Sequence, residues 1–232
     1  MGFLSTVGNF VSSAISAVGS ICSSIGGAIM GTIGTVAKNI ISIGLGELGP
    51  IGAIIQIITA VVSLVIGKPA EEKPEELGMK AQIADKKPED FDSIEKYIEY
   101  LRHDIEVDKE RMASLSEWDR AIYGAIGSGL YVKQMEEKYQ MDLPVTFWKT
   151  AADLKNEGKL SDAGIAGTIQ KMKEKNFSSA ESVSDYVNGS PNLSLEQQIK
   201  VFDSLKESLR KEFPNASDSE LNVRVSNIRN NA

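Results

Sequence analysis

Few residues in this chain could perform acid–base or nucleophilic chemistry. His103 is the only histidine and Cys22 the only cysteine. His103 projects from the polar side of its predicted helix, while Cys22 lies far away in an uncharged segment, so no histidine-based triad can form. A single cysteine also excludes an intramolecular disulfide, and no Cys/His spacing could hold zinc. We therefore predict no enzymatic activity, no cofactor and no metal site.

The glycine run from Gly124 to Gly129 is the one stretch that resembles a phosphate-binding loop. Such loops follow a strand and open a helix, and the phosphate loop of nucleotide hydrolases ends in Gly-Lys-Ser or Gly-Lys-Thr. Here helical sequence lies on both sides, and that ending is missing. The run therefore predicts a hinge or close packing between helices.

The elements around these residues are dominated by an uncharged start, with 36 residues from Gly2 to Ala37 free of charge. At 100° per residue, its large apolar side chains fall within about 120° of each other. Plotted at 3.6 residues per turn, the stripe stays on one side of the helix along its whole length, which favours a nearly straight helix over a supercoil. Together with the next apolar segment, it predicts these lipid-facing residues: Leu4, Val7, Val11, Ile15, Val18, Ile21, Ile25, Ile29, Ile33, Val36, Ile54, Ile58, Val61 and Val65.

The face opposite the stripe consists of small, uncharged residues. Such faces allow helices to approach closely, as small-xxx-small pairs do in membranes. We predict that this face packs against like helices or lines a pore, and that the chain forms a homo-oligomer. The residues assigned to it are Ser16, Ser20, Ser24, Gly27, Gly31, Gly34, Gln56 and Ser63.

A second apolar segment, residues 51–66, follows a helix-breaking stretch that ends in Gly49-Pro50. Extended by its uncharged flanks, it reaches about 30 Å and could cross a bilayer once. The first segment is too long for one perpendicular crossing, so it must tilt, lie in the interface or break near Gly26-Gly27. We predict a hydrophobic helical hairpin over residues 1–67.

The composition changes sharply after this region. Proline and charged residues over 68–90 predict a solvated linker, and residues 91–232 predict an acidic, water-soluble α-helical domain. Capping patterns at Ser116, Ser161, Ser178, Ser194 and Ser217, with no strand signal, predict an all-α fold. The predicted helices span 92–115, 117–140, 145–157, 162–175, 179–188, 195–212 and 218–229.

Charge restricts the partners. Removing Lys38, Lys68 and Glu47 from the chain's 25 basic and 32 acidic residues leaves a net charge of −8 over 69–232. This acidic part argues against nucleic acid and against docking on anionic lipid through a basic patch. No basic region precedes the apolar start, so we expect no cleaved secretory signal.

These features predict a membrane-active protein whose hairpin inserts into lipid. In layout, an apolar helical hairpin joined to a helical domain, the chain resembles colicin-type pore-forming toxins, and its glycine-rich start is similar in character to phage ejection proteins. The resemblance covers this plan and no specific motif. It implies an exported, injected or virion-associated protein that is membrane-associated after delivery. The apolar start itself predicts shielding before delivery by a chaperone, inhibitor or delivery-machine protein.

Two alternatives remain open at this point. In one, the chain is a structural assembly protein of a virion, filament or secretion apparatus, and its apolar stripes bury against neighbouring chains. About twelve large side chains, each contributing roughly 1.5–3 kcal/mol when buried, would drive such assembly. In the other, the hairpin only anchors an acidic domain that binds a partner protein.

Overall fold

The structure is a computed structural model that describes residues 3–44, 47–67 and 72–229, with residues 3–9 as backbone only. Across these residues it contains α-helices, one short 3-10 turn and no strand. An isolated β-bridge pairs Asp142 with Ser179. The all-α prediction is confirmed.

The chain divides into two compact units, which we call unit 1 and unit 2. Unit 1 contains the described residues within 1–59 and 68–137, and unit 2 contains those within 60–67 and 138–232. The apolar segment 1–67 is therefore shared between the two units. Most of it lies in the same unit as residues that the sequence placed in a linker and a separate domain.

Unit 1 is built from the first seven helices, two of which extend into unit 2. They are α1 (Phe3–Ile25), α2 (Ala28–Ile43), α3 (Leu48–Ile66), α4 (Pro74–Ile83), α5 (Ile94–Asp104), α6 (Lys109–Ser114) and α7 (Glu117–Tyr139).

The first apolar segment breaks at Gly26 and Gly27, one of the three possibilities expected for it. Their φ angles of 78° and 91° lie in the left-handed region that glycine adopts without strain. The chain then reverses: Gly34 of α2 lies against Cys22 of α1, and Gly19 lies against Lys38. The described helical hairpin is thus α1–α2, and α3 is a third helix, which corrects the predicted two-segment hairpin.

The predicted linker 68–90 contains a helix, α4, and this prediction is corrected. Pro74 occupies the first helical turn, where its missing N–H costs nothing, and two glutamates follow it there. Leu77, Met79 and Ala81 are buried. A 3-10 turn, Pro88–Asp90, follows. Proline and glutamate mark a helix start here rather than an extended spacer.

The predicted helix 92–115 is two helices, α5 and α6. Asp108 caps α6 by accepting the Glu110 N–H at 2.8 Å, so a new helix begins there instead of the old one continuing. The predicted helix 117–140 is confirmed as α7. Its Ser116 cap accepts the Asp119 N–H at 3.1 Å.

Unit 2 contains five further helices, whose bounds agree closely with the predictions. Caps at Ser161, Ser194 and Ser217 are confirmed by their hydrogen bonds to the first turns. The predicted cap at Ser178 is wrong, because α10 begins only after Ala180 and the Ser178 carbonyl accepts the Asp142 N–H at 2.9 Å. Trp148 is fully buried and donates to the Leu143 carbonyl at 3.1 Å. The helices are α8 (Val145–Asn156), α9 (Asp162–Glu174), α10 (Glu181–Val187), α11 (Leu195–Glu212) and α12 (Asp218–Arg229).

Candidate functional site

The apolar stripe points into the protein in this conformation. Of the residues predicted to face lipid, five are buried, with at most 1% of their surface exposed: Val18, Ile33, Ile54, Ile58 and Val61. Seven are half-buried: Val11, Ile15, Ile21, Ile25, Ile29, Val36 and Val65. The side chains of Leu4 and Val7 lie outside the described residues. Contact of this stripe with lipid would therefore require a second conformation.

The small-residue face points outward. Ser16, Ser20, Ser24, Gly27, Gly31 and Gln56 are exposed, and Ser63 is half-buried. Gly34 differs from the others, because it is buried and its Cβ position lies 3.1 Å from the Cβ atom of Cys22. Gly34 thus packs α2 against α1 within one chain, whereas Gly31 has no atom within 4 Å of its Cβ position.

Five hydroxyl groups on the outward face of α1–α2 bond to their own helices. Each of the five donates to a carbonyl three or four residues earlier, so these hydroxyls do not depend on water for a partner. These bonds are Ser16 to Ser12 at 2.8 Å, Ser24 to Ile21 at 2.7 Å, Thr32 to Ile29 at 2.7 Å, Thr35 to Gly31 at 3.0 Å and Ser42 to Lys38 at 2.8 Å.

Charge is nearly absent from the same helices. Residues 1–67 hold only Lys38 and Glu47 as charged residues. The outer face of a helix that covers a protein core ordinarily carries charged side chains. Serine, threonine, glycine and asparagine take their place on the outer face of α1–α2.

Helix α7 holds these apolar helices through its glycine run. Gly124 lies against Ile55 of α3, and its Cβ position is 3.0 Å from the Cδ1 atom of Ile55. The Cβ position of Gly129 is 2.9 Å from the Cγ2 atom of Ile33 in α2. Gly127 is pressed against the carbonyl of Pro74. The run sits inside one continuous helix. The predicted close helix packing is therefore confirmed.

A buried ion pair fixes α4 within unit 1. Lys80, 5% exposed, pairs with Glu72 and also donates to the Arg102 carbonyl at 3.3 Å. The second carboxylate oxygen of Glu72 is buried and has no hydrogen-bond partner among the described residues. Sequence reasoning missed this pair, because both residues lie in a stretch whose many charges suggested solvent exposure.

Of the helices whose side chains are all described, α3 is the one long and apolar enough to cross a membrane, with 19 residues and a mean hydropathy of 2.2. A third of its most apolar window is buried inside the protein. Core helices of water-soluble proteins reach similar values. Length and composition therefore make a crossing possible without requiring it.

The groups with potential for chemistry remain apart. His103 is exposed near the end of α5, and Cys22 is buried in α1. Among the described residues, no three His, Cys, Asp or Glu side chains lie close enough together to hold a metal ion. Comparisons with protein-family models, curated proteins and solved structures found no match to this chain.

Proposed function

We propose that this is a membrane-active protein that inserts α1, α2 and α3 into a lipid bilayer from the folded state described above. On insertion the Ile/Val stripe would turn from the protein interior to lipid. The Ser/Gly face would then pack against the same face of other copies or line a pore. The proposal is a conversion between two states, because the folded state buries the lipid-facing residues.

The uncharged, internally hydrogen-bonded outer face of α1–α2 carries this proposal. Moving a charged side chain to the centre of a bilayer costs about 2.5–3.5 kcal/mol on insertion scales. A hydroxyl group that already donates to its own helix avoids most of the cost of an unpartnered polar group. Apart from Lys38 of α2, which lies against Gly19, the two helices therefore meet the requirements of a low-dielectric surrounding, which helices with a charged outer face do not.

Helix lengths are compatible with insertion. At 1.5 Å per residue, α3 reaches about 28 Å, close to the thickness of a hydrocarbon core. The 23 residues of α1 reach about 35 Å and can cross with tilt, whereas α2, with 16 residues, is short for a full crossing. We therefore assign α3 and α1 as the spanning candidates and α2 as an interfacial helix.

Delivery and partners follow as part of the same proposal. The folded state hides most of the apolar surface within the chain itself, so a shielding chaperone or inhibitor is needed less than the sequence suggested. Export, injection or release from a virion would bring the protein to its membrane. Assembly through the apolar stripes, the alternative function, receives less support because those stripes are already covered by the same chain.

A reversible crosslink tests the conversion. The Ile55 side chain faces Gly124, with its Cδ1 and Cγ2 atoms 3.0 Å and 4.0 Å from the Cβ position of Gly124. Cysteines at the two positions can therefore approach the Cβ separation of about 3.5–4.5 Å found in disulfides. Ile55→Cys with Gly124→Cys, in a Cys22→Ala background, should therefore join α3 to α7. The oxidised full-length protein is expected to release no dye from liposomes, and reduction is expected to restore release.

The matched controls are the Cys22→Ala protein and the wild type, each with and without reductant. Equal dye release from the oxidised and reduced crosslink variant would contradict insertion of α3. If no form releases dye and the wild type sediments as a defined oligomer without lipid, the assembly function replaces the membrane function.

A further inference from the structure

The start of α2 lacks a cap of its own. Gly27 precedes the helix with φ 91° and has no side chain to accept from the first turn. The first turn of an α-helix leaves N–H groups without intrahelical partners and carries partial positive charge. The α1–α2 turn is therefore a weak point of the hairpin unless another segment completes it.

Glu89 supplies the missing partner from sixty residues further along the chain. Its Oε1 atom accepts the Ile29 N–H at 2.6 Å. The carboxylate lies directly over Gly27, where a Cβ atom would collide with it. Gly27 is thus required twice, by its positive φ and by the approach of Glu89.

The segment that presents Glu89 is held together by hydrogen bonds of its own. Pro88 is buried, the Phe91 N–H donates to the Pro88 carbonyl at 3.2 Å, and Asp90 accepts the Lys87 N–H at 2.9 Å. The 3-10 turn therefore holds the Glu89 backbone in place. Glu89 itself is exposed, so its hydrogen bond to Ile29 can break without disturbing the core.

A second contact holds the hairpin towards its open end. The ring of Phe10 in α1 stacks on Trp118 at the start of α7, with centroids 6.2 Å apart and an interplanar angle of 9°. Phe10 is 53% exposed, so this contact too lies at the surface. Between these two contacts, the outer face of α1–α2 carries no charged side chain whose hydration would oppose its transfer from water.

We propose that Glu89 is a clasp that keeps the α1–α2 hairpin closed on unit 1, and that its release is the first step of insertion. This inference rests on the proposed function and adds the element that regulates it. The bond joins a carboxylate to the positive end of α2, which lies in the apolar region that must leave unit 1. Loss of that bond frees the α1–α2 turn from the 3-10 turn that carries Glu89.

Hydrogen exchange in the full-length protein without lipid tests the clasp directly. Glu89→Gln keeps an acceptor but removes the charge, and Glu89→Ala removes both. Loss of a helix cap predicts exchange of the Ile29 amide about fivefold faster in Glu89→Ala, with a smaller increase in Glu89→Gln. Glu106, exposed in the loop before α6, gives the matched controls Glu106→Gln and Glu106→Ala, which should leave the Ile29 amide unchanged.

Dye release from liposomes by the same variants links the clasp to insertion. We expect release rates in the order Glu89→Ala, Glu89→Gln, wild type, with the Glu106 variants equal to wild type. Unchanged exchange at Ile29 in both Glu89 variants would overturn the clasp, whatever the vesicles show. Faster exchange with release no faster than that of an active wild type would overturn its role in insertion.

The failure of the proposed function gives a different pattern. In that case neither the wild type nor any variant releases dye. Faster exchange at Ile29 would then still establish the clasp as a contact that closes the hairpin, since that measurement uses no lipid. Circular dichroism of each variant confirms that the helices are retained.

Discussion

Glycines in this protein differ in what surrounds them, although they look alike in the sequence. Gly124 and Gly127 lie one turn apart on α7 and are both buried. A Cβ atom at Gly124 would meet only the end of the Ile55 side chain, whereas at Gly127 it would collide with the Pro74 backbone. A side-chain end can rotate away, but a buried backbone cannot.

This contrast gives a matched pair of substitutions. Gly127→Ala should lower the free energy of unfolding by about 1–2 kcal/mol, because overpacking outweighs the gain in helix propensity. Gly124→Ala should be neutral or stabilising by up to about 1 kcal/mol. Urea unfolding measures both. Equal effects would show that α4 is not pressed against α7 as described.

The buried pair of Lys80 and Glu72 predicts a strong coupling. Lys80→Met would leave the Glu72 carboxylate buried without its partner and should cost about 3 kcal/mol. Adding Glu72→Gln should recover most of that loss, because no buried charge then remains. A double-mutant cycle from urea unfolding measures the coupling, and additive effects would argue against the ion pair.

The stack of Phe10 on Trp118 can be followed by fluorescence. Phe10→Ala should shift the emission of Trp118 to longer wavelength and increase its quenching by acrylamide, because one side of the indole ring becomes exposed. The loss of stability should be about 1 kcal/mol. Trp148, the only other tryptophan, is fully buried in unit 2 and serves as an internal reference. An unchanged spectrum would contradict the stack.

At the scale of helices, the outer face of α1–α2 can be tested without disturbing the folded chain. Gly31→Leu adds a large side chain where nothing lies within 4 Å. The free energy of unfolding should stay the same or rise by up to about 1 kcal/mol, because leucine favours a helix more than glycine does. Dye release should fall if the face packs against other copies in the membrane. Gly27→Leu cannot be interpreted in this way, because it would also displace Glu89.

The matched control for Gly31→Leu is Ala163→Leu, an equally exposed small residue on α9 in unit 2. It should change neither stability nor dye release. Retained dye release by Gly31→Leu would exclude the Gly/Ser face as the contact between copies.

At the scale of the whole molecule, several surface carboxylates make the folded state less stable as the pH falls. Hydrogen bonds from Arg210 and Lys175 lower the pKa values of Asp218 and Glu207, respectively, and a hydrogen bond from Tyr100 lowers that of Asp85. A carboxylate whose pKa is lower in the folded state than in the unfolded state stabilises the fold at pH values above its unfolded-state pKa. That stabilisation is lost as the pH falls through the lowered value.

We therefore expect the melting temperature to stay nearly constant between about pH 7 and pH 5 and to fall below about pH 4. Thermal unfolding followed by circular dichroism at a series of pH values measures this. Dye release should likewise be the same at about pH 7 and pH 5. A marked loss of stability between those values would show that mild acid opens the fold.

Local sequence patterns determined most helices of this protein and which side chains share a face, but they missed α4 and the break between α5 and α6. Caps at Ser116, Ser161, Ser194 and Ser217 marked helix starts correctly, because a cap involves only neighbouring residues. The amphipathic stripe was visible for the same reason, since helical periodicity is a local property.

Only the tertiary structure decided what covers each face. Periodicity shows that Ile33 and Ile54 lie on an apolar face but cannot show whether lipid, another chain or α7 covers it. The glycine run of α7, the burial of α4 and the reach of Glu89 to Ile29 join residues far apart in sequence. Such contacts depend on how helices pack, which no local pattern records.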